Sequence, residues 1–291
     1  MTTIGNVSIA EKTPVRVMGI INVSPESFYK DSIKTTTEDI AKTARSMQYN
    51  GANIIDVGAM STAPYLETII SVKEEILRMK QAIKVIKNNC DLPISVDTPR
   101  SAVAREAIKL GVDAINDITG LKYDEDMANI VAESKLPVVI GAYSNRSKDN
   151  SHQLSVTGRI SGTIKLLKES LLIAKRFEID NDNIIIDPSI GFFRTEGKNP
   201  FFTVIKDLPW YVRDIEVISR LKELRTSFSN PICISVSRKS FIGRLFNLKT
   251  EERLIPSLVS EIICVLNGAK VIRTHNVRET VQALVMSELI N

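Results

Sequence analysis

Two kinds of segment alternate along this chain. Short, nearly continuous apolar runs are separated by longer stretches whose apolar positions recur every three or four residues. The short runs are VRVMGIINV (15–23), NIIDVGA (53–59), PISVD (93–97), AINDI (114–118), PVVIGAY (137–143), NIIIDP (183–188), PICISV (231–236) and KVIRT (270–274). They are rich in β-branched residues and mostly lack strict alternation, as expected of parallel strands covered on both faces. The longer stretches predict helices over 37–50, 71–88, 100–110, 124–134, 160–177, 210–226, 251–267 and 277–290. Thr37 and Ser71 stand where helix N-caps belong, and Glu74 follows Ser71 by three positions. Gly51, Gly111 and Gly268 each follow a helix and precede a strand, where a left-handed cap favours a residue without Cβ.

Repeated strand–helix units over 291 residues predict an α/β protein of the (β/α)8 TIM-barrel class, one domain over 1–291. A doubly wound sheet is the alternative. It would normally carry a glycine-rich phosphate loop after its first strand, and NVSPESF at 22–28 has none. The polar stretch 144–156, SNRSKDNSHQLSV, reads as a loop after strand five, with His152 solvated in it.

Composition removes several function classes. A net charge of +4 is spread along the chain. No basic block with interleaved aromatics is present, so a nucleic-acid partner is not expected. No apolar run reaches the ~18 residues of a membrane span, and no secretory leader pattern opens the sequence. Cys90, Cys233 and Cys264 show no metal or disulfide spacing. With only two histidines, a zinc site of His and Cys ligands is not expected. A reduced, cytoplasmic protein is the expectation.

In a barrel of this class, chemistry sits at the C-terminal ends of the strands. Asn22, Asp56, Asp97, Asn116, Asp117 and Asp187 stand at or near such ends, as do Ser237, Arg238, Lys239, Arg273 and His275. Polar groups inside apolar strands are costly unless paired. Asp56, Asp97, Asn116 and Asp187 make a cup of acceptors with one amide donor, suited to a flat heterocycle bearing ring N–H and amino groups. Lys239, Arg273 and His275 make a cationic group suited to phosphate or diphosphate. Asn22 offers a neutral oxygen to a hydrated Mg²⁺ held mostly by that anion. Of the adjacent cations, Lys239 is expected to face the ligand and Arg238 to pack outward. Asp117 is expected to face the outer helices, and Asp56 either braces the barrel mouth or touches ligand.

These residues carry a family resemblance. GIINVSPESF, IIDVGAMSTAP, ISVDT, INDITG, IIDPSIGF, SRKSFIG and RTHNVRETV resemble, in order, the landmarks of dihydropteroate synthase, the pterin-binding barrel enzyme. The resemblance runs from about residue 15 to 288. It implies that Asp97, Asn116, Asp187 and Lys239 hold a pterin ring beside Phe192. Asn22, Arg273 and His275 would hold a diphosphate and its Mg²⁺, while Thr62, Pro64 and Ser237 would lie near an arylamine. The implied reaction joins a dihydropterin-methyl diphosphate to p-aminobenzoate or a related arylamine, and its chemistry rests on Asp97, Lys239, Arg273 and His275. A homodimer paired through the last helices is also implied.

Four positions depart from the family pattern. Ala63 replaces the arginine of S-T-R-P, and Glu26 and Lys30 alter loop one. Gly141-Ala142-Tyr143 replaces a Met-His segment, and Ser235 replaces a glycine. These departures suggest a divergent, archaeal-type member, whose acceptor is p-aminobenzoate or a bulkier ribosylated arylamine phosphate of methanopterin synthesis. A catalytically silent pterin-binding paralogue and a pterin-dependent methyltransferase are the alternatives.

Overall fold

The structure is a computed structural model that describes residues 1–24, 36–144 and 156–290. Glu26, Lys30 and His152 lie outside these residues. The chain opens with two short strands, β1 (Thr2–Ile4) and β2 (Val7–Ile9), paired antiparallel with Thr2 opposite Ile9. Then come β3 (Arg16–Asn22), β4 (Ile54–Gly58), β5 (Ile94–Asp97), β6 (Ala114–Asp117), β7 (Val138–Gly141) and β8 (Ile184–Asp187). After β8 a parallel pair, β9 (Phe193–Arg194) and β10 (Thr203–Val204), forms outside the main sheet. The last strands are β11 (Cys233–Ile234) and β12 (Val271–Thr274). The helices are α1 (Thr37–Tyr49), α2 (Val72–Lys87), α3 (Ser101–Lys109), α4 (Met127–Ser134), α5 (Ile160–Arg176), α6 (Trp210–Ser219), α7 (Leu221–Ser227), α8 (Ser240–Phe246), α9 (Leu254–Leu266) and α10 (Val277–Ile290).

Eight parallel strands run in the order β11, β12, β3, β4, β5, β6, β7, β8. A parallel bridge between Ile186 and Ile232 brings the two edges together, with Ile186 N–H donating to the Pro231 carbonyl at 2.9 Å. The sheet is therefore a barrel, and the doubly wound alternative falls. Each expected strand and helix segment is found. The 210–226 segment, however, divides into α6 and α7 where Arg220 leaves helical angles at φ −104° and ψ 18°. Thr36, not Thr37, caps α1, accepting from Asp39 N–H at 3.1 Å. Ser71 caps α2 as expected, accepting from Glu74 N–H at 3.1 Å.

Strand side chains alternate between the two faces of the sheet, and here the alternation separates two cores. Met18, Ile54, Ala114, Val139, Ile185, Cys233 and Val271 form one buried cluster, which Ile4 and Ile9 complete. The β1–β2 pair thus plugs the end of the barrel at which the strands begin. Intervening residues such as Ile21, Ile55, Val96, Ile140 and Ile272 belong to the larger cluster shared with the helices. Two steps along the strands from the inward cluster, the same parity delivers Asp56, Asn116, Asp187, Ser235 and Arg273 to the opposite end. Asp117 has the other parity. It is fully buried and accepts from Thr119 N–H at 2.8 Å and Leu121 N–H at 2.7 Å, so it shapes the turn after β6. Among the described residues, no helix is long and apolar enough to cross a membrane. The three cysteines are buried and free.

Candidate active site

The floor of the site is an ion-paired lattice spanning four strands. Arg273 of β12 donates from Nε to Asp56 Oδ2 of β4 at 2.6 Å and from Nη2 to Asp97 Oδ2 of β5 at 2.6 Å. Asn116 of β6 donates to the same Asp56 oxygen at 3.0 Å. The other carboxylate oxygens, Asp56 Oδ1 and Asp97 Oδ1, have no hydrogen-bond partner among the described residues. Buried acceptors of this kind are uncommon and call for a water, an ion or a ligand; of the two residues, Asp97 lines the cleft. Burial pushes Asp97 up to about 7 against the pull of Arg273. The arginine, held by both carboxylates, is raised above its ordinary value despite burial. Asp56 therefore braces the barrel mouth, resolving its two expected roles towards structure.

Lys239 enters from the turn after β11. Arg238 takes a left-handed backbone angle, φ +54°, and this sends the two neighbouring cations in different directions. Arg238 is buried and reaches outward, donating to Asn276 Oδ1 at 2.9 Å and to the carbonyls of Thr250 and Glu251 at 3.0 and 2.8 Å. Lys239 points inward, with Nζ 4.3 Å from the centre of the Phe192 ring. Burial pulls its ammonium down to about 8, helped by repulsion from Arg273. Phe192 is presented by the turn after β8, where Ser189 and Gly191 have φ of +56° and +86°. Arg213 holds that turn from beneath. It is fully buried, lies 3.5 Å from the Phe193 ring centre, and donates to the Pro188 carbonyl at 2.6 Å.

The second loop, after β4, forms the opposite wall. Asn199 donates to the Ala63 carbonyl at 2.6 Å, and Lys198 N–H donates to the Pro64 carbonyl at 2.7 Å. A buried pair braces the same loop further along. Arg100 Nη1 lies 2.9 Å from Glu75 Oε2 and also donates to the Ile70 carbonyl at 2.9 Å. Between the walls lies a cleft. Thr62, Pro64, Asp97, Phe192, Lys239, Arg273, His275 and Asn22 all line it.

Three expected site residues do not. Asn116, 3% exposed, lies beneath Asp56 in the floor. Asp187 is also absent from the lining; its Oδ1 accepts from Ser189 N–H at 2.6 Å. Burial raises its carboxyl, with Lys239 and Arg273 opposing. Ser237, expected near an arylamine, is 1% exposed and instead meets the His275 backbone N–H and ring Nδ1, each at 3.2 Å. The expectation of His275 as a cation is also corrected. Burial, then the charges of Arg273 and Lys239, hold its ring well below its ordinary value, so it is a neutral imidazole at pH 7. Ser240, Tyr65 and Arg194 line the cleft without having been expected there. Their places depend on turns and on the β9–β10 pair, which no hydrophobic pattern marks.

No cluster of three or more His, Cys, Asp or Glu suited to a metal occurs among the described residues. Asn22 brings a single neutral amide to the cleft. That donor set fits an ion carried in mainly by its ligand's own oxygens and does not fit a resident all-protein metal centre.

Comparison with known proteins shows the chain's family. The profile of the pterin binding enzyme family matches residues 18–275. A dihydropteroate synthase of Clostridium beijerinckii is 36% identical over 285 residues, 97% of this chain and 96% of that protein. A dihydropteroate synthase of Bacillus subtilis is 34% identical over 98% of this chain and 92% of its own length. Among solved structures, a dihydropteroate synthase of Coxiella burnetii in complex with pteroic acid superposes with a TM-score of 0.79 at 31% identity, covering 96% of this chain and 94% of that one. The first two relatives are bacterial, so the archaeal-type placement drawn from the departures gains no support. With the profile spanning most of the barrel and the likeness running end to end, the chain belongs to the pterin binding enzyme family, alongside the dihydropteroate synthases.

Proposed function

We propose that this chain is a dihydropteroate synthase of folate biosynthesis, joining a dihydropterin-methyl diphosphate to p-aminobenzoate. In the reaction the bond from the methylene carbon to the diphosphate oxygen breaks and diphosphate leaves with its electron pair. The amine nitrogen forms the new C–N bond and gives up one proton. The observation that carries this reading is the open acceptor oxygen of Asp97, set in one cleft with Lys239, Arg273 and the Phe192 ring.

Asp97 accepts from the amino and ring N–H groups of the pterin and stabilises positive charge spreading through it as the bond breaks. Phe192 covers a face of the ring. Asn116 sits behind this layer and orients it, and Asp187, only partly buried, offers the pterin a further acceptor. Arg273 and Lys239 attract the departing diphosphate. The neutral His275 donates a hydrogen bond to it, and the arriving negative charge would favour its protonation. A Mg²⁺ bound through the diphosphate, with Asn22 as one neutral ligand, would neutralise part of the leaving group's charge. Thr62 and Pro64 flank the amine. For a bulkier ribosylated arylamine phosphate, Ala63 leaves room in the cleft wall but brings no charge to a phosphate, so p-aminobenzoate is the acceptor proposed.

Ile255, Val259, Ile263 and Leu266 on α9, and Val285, Met286, Leu289 and Ile290 on α10, are exposed. An apolar surface of this extent on neighbouring helices supports burial against a second copy of the chain. Sedimentation equilibrium should give twice the chain mass, and a monomer at micromolar concentration would refute the pairing.

The deciding experiment mixes protein, Mg²⁺, dihydropterin-methyl diphosphate and p-aminobenzoate, and measures diphosphate and pteroate with and without the amine. Amine-dependent release of both is expected. Tight pterin diphosphate binding without product would replace the synthase reading with the silent paralogue, which Ala63 favours. Absence of both would overturn the pterin site itself.

A further inference from the structure

Among the described residues, Arg194 is a buried cation with no carboxylate paired to it. It closes β9, is 6% exposed, and has no carboxylate within salt-bridge distance among the described residues. Its Nη2 donates to Ser240 Oγ at 2.5 Å, while its Nε has no hydrogen-bond partner among the described residues. The guanidinium lies over the Trp210 indole, 3.6 Å from the ring centre, and 5.8 Å from that of Tyr65. Burying a guanidinium without an opposing charge is costly, and an anion bound beside it would offset that cost.

The anion would come from the cleft. Arg194 lines it together with Ala63, Pro64, Tyr65, Lys239 and Ser240. Ala63 brings neither bulk nor charge to that wall. Arg194 also lines an adjoining groove with Glu196, Trp210, Arg244 and Arg253, where three arginines face one carboxylate, so the surroundings there are basic as well. The acid whose charge bears most on Arg194, Asp214, is engaged through one oxygen and lies outside salt-bridge distance of it. Its Oδ1 lies 3.2 Å from Arg213 Nη1 and accepts from Gly191 N–H at 3.0 Å. Stacking on Trp210 fixes the plane of the guanidinium, and a fixed plane suits recognition of a planar carboxylate.

We infer that Arg194 is the specificity residue for the second substrate: it takes the carboxylate of the arylamine, and so selects a carboxylated aromatic amine over a neutral one. This rests on the synthase reading for the identity of the cleft, yet its test does not need turnover. Equilibrium binding of p-aminobenzoate and of p-aminobenzamide would be measured calorimetrically on the full chain with Mg²⁺, diphosphate and hydroxymethyl-dihydropterin present. The wild type should prefer the acid by roughly tenfold to a hundredfold, the scale of a charge-assisted pair. Arg194→Gln, which keeps a planar hydrogen-bonding group, should abolish most of that preference. In turnover the loss should fall on the amine KM more than on kcat.

A full acid preference retained by Arg194→Gln would overturn the inference. Equal affinity of the wild type for acid and amide would also overturn it, whether or not the variant folds. A wild type that binds the acid selectively but forms no pteroate would instead overturn the synthase reading and leave Arg194 in its role.

Discussion

Glu261 allows a quantitative test of how burial shapes this barrel. It lies on α9, is 1% exposed, and accepts at Oε2 from Thr280 Oγ1 at 2.8 Å. Its Oε1 has no hydrogen-bond partner among the described residues. Thr280 Oγ1 is also 3.1 Å from Thr274 Oγ1, so the carboxyl sits behind the strand end that carries His275. Burial pushes it from the ordinary 4.5 up to about 7, with only the Thr280 and Thr274 hydroxyls opposing. Between those pH values the folded protein holds a proton that the unfolded chain has lost. Stability attributable to this group is therefore complete below about pH 4.5 and declines as pH rises through about 7. At about 1.4 kcal/mol per pH unit, the total loss is about 3 kcal/mol by pH 8. Glu261→Gln removes the titration. The new amide shifts the whole stability curve by about 1 kcal/mol in either direction but cannot tilt it. Urea unfolding followed by the fluorescence of Trp210, the one tryptophan in the chain, would be measured from pH 5 to 8. The variant should gain about 2.5 kcal/mol on the wild type across that range, the remainder having been lost below pH 5. Parallel curves would refute the reasoning.

Other perturbations separate ligand contact from framework. Asp97, raised to about 7 by burial, must be ionised to accept from a pterin. Affinity for hydroxymethyl-dihydropterin should therefore fall towards tenfold per pH unit below that value, and Asp97→Asn should bind weakly with a flat profile; titrations from pH 5.5 to 8 read both. The two adjacent cations should fail differently. Arg238→Met breaks a buried network and should cost about 3 kcal/mol in urea unfolding. Lys239→Met should keep its fold and lose at least roughly a hundredfold in kcat/KM. At Gly141, a Cβ would fall on the Ile118 carbonyl oxygen. Gly141→Ala should therefore cost about 3 kcal/mol, seen as a Tm lower by roughly 5–10 °C; an unchanged Tm would show that the backbone yields freely there.

Much of this molecule follows from period alone. Apolar runs without strict alternation mark strands buried on both faces. Counting by twos along β4, β6 and β12 separates Asp56, Asn116 and Arg273 from outward residues such as Asp117. The ordered motifs from Asn22 to His275 identified most of the cleft lining. The helix boundaries at 37, 71 and 277 were equally legible, because caps and amphipathic faces are local features. What the sequence could not reveal lies in pairings between distant positions. Arg273 finds Asp56 across 217 residues, and no local rule says that the cationic and acidic groups of the site will neutralise one another. Ser237 turned from the amine to His275, and His275 became neutral, because burial beside Arg273 and Lys239 costs more than the proton is worth. Arg194 entered the cleft only through the β9–β10 pair, two residues per strand and too short to leave a pattern. Strand parity is written in neighbouring residues, so sequence determined which side chains look into the barrel. Charge state and partner depend on desolvation and on groups brought close by the closed sheet, so only the tertiary structure decided what those side chains do there.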